Sequence, residues 1–294
     1  DFCLSRGLGD VYKRQDSLYL QSATLSASRI LGGGDDDSIT FMAGVFSIEK
    51  GLTSTTIQGG GGSDYISGNY YWYNSALVIA GDTEYVQSEF DGNDTIVLDL
   101  RDGDGMADGL VQGNGGNDYI VVDGMSEGLT IGGNSGNDTI DLRDARYGLR
   151  GTVNLGAGDD VLLVQPNGTL RDFSVNGGGG NDSIYLSGNS AGSPEFSSFY
   201  FGGDGADYIE LRGEAFGASA GGQVAYANAA QSNLSAVDTI WAQVGAGGVG
   251  SSNTTGYRVF VDYVNLFTGE TANSTTITIS GTEALFTSTF ALGA

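Results

Sequence analysis

The chain of 294 residues contains no histidine at all. That removes the commonest general base and with it any histidine-activated serine or cysteine nucleophile. There is one cysteine, Cys3, so a zinc site has neither of its preferred ligand types in usable number, and stability must come from something other than disulfides. Only two prolines occur beside fifty-one glycines, a balance that excludes a mostly helical protein, because glycine inside a helix costs about 1 kcal/mol relative to alanine. The glycines show no Gly-X-Y period, which excludes collagen. Bases are scarce: 12 Lys and Arg face 36 Asp and Glu, a net charge of −24. Such a surface repels phosphate backbones, so nucleic acid is excluded as a partner. No apolar run approaches the roughly 20 residues that a membrane-spanning helix needs. A hydrophobic content of 39%, rich in Ile, Val, Phe and Tyr, argues against disorder.

What the sequence does have is a repeat. An acid followed two positions later by Ile or Leu recurs at Asp37, Asp64, Asp94, Asp118, Asp138, Asp160, Asp182, Asp207 and Asp238. The intervals are 27, 30, 24, 20, 22, 22, 25 and 31 residues. Four positions after the acid the residue is again mostly apolar, as at Leu98, Val122, Leu142, Val164 and Leu186. Seven positions before it lie Ile30, Ile57, Val111, Ile131, Val153 and Val175. Each unit therefore reads strand, glycine-rich turn, acid, strand, variable connection. Period-2 alternation marks half-buried strands. One such unit cannot bury its own apolar face, whereas stacked units can. The expected fold is all-β: a parallel β-solenoid of about nine or more coils, one Gly-rich Asp turn per coil, with rungs about 4.8 Å apart. Glycine belongs at the turn because stacked turns demand positive φ and close backbone approach.

Three turns, GGGGSDYI (59–66), GGGGNDSI (177–184) and GGDGADYI (202–209), carry the pattern G-G-x-G-x-D-x-aliphatic in full. GNGGNDYI (113–120), GNSGNDTI (133–140) and LGAGDDVL (155–162) carry it in part. GGGDDDSI (32–39), EFDGNDTI (89–96) and NLSAVDTI (233–240) depart further. These turns resemble the hemolysin-type calcium-binding repeats known as RTX. The resemblance implies Ca²⁺ as cofactor, held by the carboxylates of Asp37, Asp64, Asp94, Asp118, Asp138, Asp160, Asp182 and Asp207. It implies further ligation at Gly60, Gly62, Gly116, Gly136, Gly158, Gly178, Gly180, Gly203 and Gly205. Arrays of that family repeat every nine residues and carry two metal rows; intervals of 20–31 imply one turn per coil and one row.

Electrostatics bears on the same point. Carboxylates about 4.8 Å apart repel by about 0.9 kcal/mol in bulk water and about 3.5 kcal/mol at an effective dielectric of 20. Summed along the stack, this rivals the ~5–15 kcal/mol net stability of a domain. A divalent cation between turns reverses the sign, and calcium accepts carboxylate and carbonyl oxygens alike. The plainer reading is that each Asp serves only its turn, accepting local amide hydrogen bonds.

Other features weigh less. DGDGMAD (102–108) is a fragment of an EF-hand-like loop without the later glutamate, and reads equally as a solvated acidic loop. Arg101, Arg143, Arg171 and Arg212 each follow a leucine and suggest Arg–Asp pairs stacked on the outside. Tyr70, Tyr71, Trp72 and Tyr73 lie in a long connection and are candidates for binding a partner or sugar. Tyr65, Tyr119 and Tyr208 share the position after the acid, which alternation points outward, and an ice-binding face is disfavoured because that row mixes Ser, Thr, Tyr and Val. Nothing singles out a catalytic pair, so no enzymatic role is expected of this region.

Three segments follow. LSRGLGDVYKRQ (4–15) resembles a translated sequencing adapter, of the kind found at the ends of metagenomic reading frames, so 1–15 are set aside as non-native and the natural chain is expected to begin upstream. Residues 16–245 form the solenoid. Residues 246–294 form a C-terminal β cap, whose Ser/Thr-rich apolar tail also resembles a type I secretion signal. The functional expectation is a secreted, extracellular calcium-binding solenoid with a structural role at a bacterial surface, as an S-layer component or adhesin. Its partners would be calcium ions, further copies of itself or cell-surface polysaccharide. The alternatives are the calcium-binding and export region of a longer polysaccharide-modifying enzyme or protease, and a viral fibre or spike.

Overall fold

The computed structural model describes residues 2–3, 15–21, 29–42, 55–69, 78–81, 91–100, 106–107, 109–124, 126–143, 148–164, 169–187, 198–212, 223–226, 239–243, 258–260, 276–280 and 286–289. Among them every regular element is a β-strand, and the strands form two sheets of twelve. Apart from Met106–Ala107 and the last strand, successive strands alternate between the two sheets, each pairing parallel with its neighbours. This is a parallel β-solenoid, as the repeat predicts.

Register follows the acid. In the second sheet Ile120, Ile140, Leu162, Ile184 and Ile209 lie side by side on successive rungs. In the first, Val111, Ile131, Val153 and Val175 do the same. Both rows are wholly buried or nearly so and face each other across the interior. Burying one such side chain contributes about 1.5–3 kcal/mol, so the stack of aliphatic rows is the principal stabilising term. A slip of one residue would turn every row outward, which fixes the pairing firmly. One rung interrupts the inner row four positions after the acid with Gly68. The ring of Phe41, from the preceding rung, occupies the space that a side chain there would need.

The connections absorb the unequal intervals. The rung of Asp94 lacks an aliphatic seven positions before its acid, and the structure supplies Ile79 instead, paired with Ile57 on one side and Val111 on the other. Extra chain therefore enters within that turn, between Gly81 and Asp91. Arg258–Phe260 and Thr276–Ser280 add parallel strands to the two sheets, so repeat pairing runs past residue 245. Phe286–Thr289 then pairs antiparallel with Thr276–Ile279 and ends the second sheet. At the other end Phe2–Cys3 pairs with Ile30–Leu31, and Ser17–Gln21 with Ser38–Met42. The adapter-like stretch, save Gln15, lies outside the described residues.

Candidate functional site

The turns of Asp64, Asp118, Asp138, Asp160, Asp182 and Asp207 join a first-sheet strand to a second-sheet strand through two left-handed residues, four and two positions before the acid (the turn of Asp37 keeps only the earlier one, at Gly33). All nine glycines singled out above sit there, with φ between +101° at Gly116 and +141° at Gly205. Asn114 and Asn134 replace glycine at the earlier position and adopt the same region, at φ 82° and 80°, which asparagine tolerates better than other non-glycine residues. The carbonyls of stacked turns press on the next glycine: a Cβ at Gly136 would overlap the oxygen of Gly116, and one at Gly180 the oxygen of Gly158.

A turn this tight leaves amides that no strand can accept, and two side-chain ladders take them up. The backbone N–H of Asp37 donates to Asp64 Oδ1 at 2.7 Å, Asp64 to Asp94 Oδ1 at 2.7 Å, and Asp94 to Asp118 Oδ1 at 2.8 Å. The series continues through Asp138, Asp160, Asp182 and Asp207 at 2.7–2.9 Å. It also begins one rung earlier than the sequence reading placed it, because Asp16 donates to Asp37 Oδ1 at 2.8 Å. One position before the acid an exposed ladder runs the opposite way. The N–H of Asn117 donates back to Asn93 Oδ1, Asn137 to Asn117 Oδ1, Asp159 to Asn137 Oδ1 and Asn181 to Asp159 Oδ1, all at 2.7–2.8 Å. Oδ1 therefore does accept an amide, but the amide of the neighbouring rung and not, as the plainer reading had it, one of its own turn.

The second oxygen is different. The column acids are 1–5% exposed, pointing into the narrow end of the solenoid beside the turn. Oδ2 of Asp37, Asp64, Asp118, Asp138, Asp160 and Asp182 is buried without a hydrogen-bond partner. All but that of Asp160, which has Leu155 at the equivalent point, pack over the glycine five positions before the acid, the first of the motif and absent from the candidate ligands. A Cβ on Gly32, Gly59, Gly113, Gly133 or Gly177 would overlap the carboxylate of its own rung. At Gly32, Gly133 and Gly177 the same point is crowded by a backbone carbonyl of the following rung, from Gly59, Leu155 and Gly202 respectively. At Gly81, which serves the rung of Asp94, the carboxylate and the carbonyl of Gly113 converge likewise.

Burial, opposed by the amide hydrogen bond and reinforced by neighbouring carboxylates, pushes the pKa of Asp64, Asp118, Asp160 and Asp182 up to about 7. It pushes Asp138 and Asp207 up to about 6, and raises that of Asp37 as well. Nothing basic figures among the causes at any of them. The column is therefore a line of acids held in register, each with one oxygen committed to an amide.

No family profile, curated protein or solved structure matches the chain. The site is read from its geometry alone.

Among the described residues no three Asp, Glu, His or Cys side chains gather at one point. A gap between rungs offers two carboxylates at most, so further ligands would have to be main-chain carbonyls. The buried, unpartnered oxygens and the carbonyls that converge on the same glycine cradles fit a hard cation that takes oxygen ligands. The structure brings the carboxylates to these earlier glycines; at Gly60, Gly62, Gly116, Gly136, Gly158, Gly178, Gly180, Gly203 and Gly205 an added Cβ meets chiefly the neighbouring backbone. Gly59, Gly113, Gly133, Gly177 and Gly202 open the repeat motif in register, yet the candidate ligand set took the positions after them and left these out.

Of the remaining candidates, Arg143, just past the end of the strand Thr139–Leu142, forms a bidentate pair with Asp141, Nε to Oδ1 at 2.9 Å and Nη2 to Oδ2 at 2.6 Å. Burial acts to raise the Asp141 pKa, but the Arg143 hydrogen bonds and charge outweigh it and hold it below the usual range. The side chains of Arg101, Arg171 and Arg212, residues 102–105 and 108 of the acidic loop, and Tyr70, Tyr71, Trp72 and Tyr73 lie outside the described residues, as does Asp238.

Proposed function

We propose that the chain is a secreted, calcium-stabilised β-solenoid with a structural role at a bacterial cell surface, as an S-layer component or adhesin. The observation that carries this reading is the column of buried carboxylates whose second oxygens have no partner at Asp37, Asp64, Asp118, Asp138, Asp160 and Asp182. A carboxylate taken out of water without a counter-charge is among the costliest groups to bury, and a stack of them is tolerable only if neutralised. Calcium would be held by the column acids together with carbonyls of the adjoining glycines, supplying positive charge where the stacked acids repel. The same dependence supports secretion: where free calcium is scarce, repulsion keeps the array unfolded and exportable, and millimolar calcium outside folds it.

The test is a thermal melt of the chelated protein followed by calcium titration. The expected result is a large, saturable rise in melting temperature, with binding of calcium by calorimetry over the same concentrations. An unchanged melt and no binding heat would leave the column to protons alone and refute the reading.

A further inference from the structure

The turns use one edge of the solenoid; the outer face of the second sheet is a separate surface, and it is aromatic. Residues one and three positions after each acid point outward there. Among them Tyr19 is 57% exposed, Tyr65 44%, Tyr119 40% and Tyr185 37%. These rings stand two or three rungs apart, so they form an interrupted aromatic line along the axis of one face.

Register sets their spacing. Tyr65 and Tyr119 occupy the same row two rungs apart, with Thr95 directly between them, which places them about 9.5 Å apart along the axis. Further along, Tyr185 and Tyr208 stand as a tilted pair with ring centroids 5.7 Å apart. Buried carboxylates orient two of the hydroxyls: Tyr208 donates its hydroxyl hydrogen to Glu210 Oε2 at 2.7 Å, and Tyr119 donates to Asp141, itself clamped by Arg143, at 3.4 Å.

We propose that this face binds a neutral, extended polysaccharide. The apolar C–H face of a sugar ring stacks on an aromatic ring, while its hydroxyls can donate to the Tyr119 and Tyr208 hydroxyl oxygens, whose own hydrogens the carboxylates take. A flat face with rings repeating along a straight axis suits a straight chain better than a globular epitope. Charge decides among glycans: at −24 the chain repels acidic polymers. A polymer without charge meets no such barrier. The inference does not rest on the calcium reading, since none of these residues belongs to the carboxylate column.

Affinity electrophoresis tests it, run with calcium present so that the fold is secured whichever way the metal question is settled. The gels contain hydroxyethyl cellulose or glycol chitin as neutral glycans and polygalacturonate as the acidic one. Wild-type protein should be retarded by at least one neutral polymer and not by polygalacturonate. The triple variant Tyr65→Ser, Tyr119→Ser, Tyr185→Ser should lose roughly tenfold or more in affinity, with an unchanged far-ultraviolet circular dichroism spectrum. Should the triple variant fail to fold, Tyr65→Ser and Tyr119→Ser singly replace it, each expected to weaken retardation. Absence of retardation in both neutral gels, variants that migrate like wild type, or retardation by polygalacturonate would each overturn the proposal.

Discussion

Replacing Asp118 by asparagine separates the two jobs of the column acid. Asp118 is 2% exposed; its Oδ1 accepts the Asp94 amide at 2.8 Å, and its own amide donates to Asp138 Oδ1 at 2.8 Å. Asparagine keeps an acceptor in the Oδ1 position and removes the charge. In metal-free protein at pH 8, holding this carboxyl at a pKa of about 7 against 3.8 costs about 4 kcal/mol. The amide that replaces Oδ2 is a buried donor over Gly113, and leaving it unpaired costs about 1–3 kcal/mol. Asp118→Asn should therefore stabilise the chelated protein by about 1–3 kcal/mol, several degrees in melting temperature for a chain of this size. In saturating calcium the proposed function requires the sign to reverse, because the substitution would remove one of the carboxylates proposed to hold the ion. The assay is a paired thermal melt followed by circular dichroism, in EDTA and in calcium. A variant destabilised equally in both buffers would refute the electrostatic reasoning, and one stabilised in both would remove calcium from the column.

Two further outcomes follow from the same geometry. In EDTA the melting temperature should rise as pH falls from 8 toward 4. The folded column acids, at about 6–7, keep protons that the unfolded chain releases near 3.8, so stability is lost as pH climbs through that window and levels off above it. A metal-free protein that weakens on mild acidification would contradict this. Gly113→Ala should destabilise severely, since its Cβ would overlap Asp118 Oδ2, whereas Gly179→Ala, with nothing within 4 Å of its Cβ, should be nearly neutral; chemical denaturation of the two variants gives the comparison, and similar losses would refute the packing account.

The fold was legible because acid, aliphatic and turn recur in one order, and register in a parallel stack follows directly from that order. Units were missed where the order is broken. Ile79 was hidden by residues inserted between Gly81 and Asp91, and Asp16 by its place beside a segment set aside as foreign. The left-handed turn glycines were readable from composition, as were outward Tyr65 and Tyr119 from alternation. The direction of each carboxylate was not. Whether Asp138 reaches along the axis to an amide or across to Gly133 depends on how narrow the solenoid is at its corner, and that width is a property of two sheets packed together. The exposed ladder escaped notice for a related reason: Asn117, Asn137 and Asp159 read as ordinary turn formers until the neighbouring rung is in place to donate to them.

Because each inner carboxylate reaches back to an amide of the preceding rung and each outer side chain forward to one of the following rung, every unit is clasped from both sides by repeated chemistry. Excising one whole unit between matching acids, for example from Asp138 up to but not including Asp160, brings together ends that already fit. Length in such a molecule is therefore a freely adjustable quantity, changeable by duplication or loss of single units without redesign of what remains.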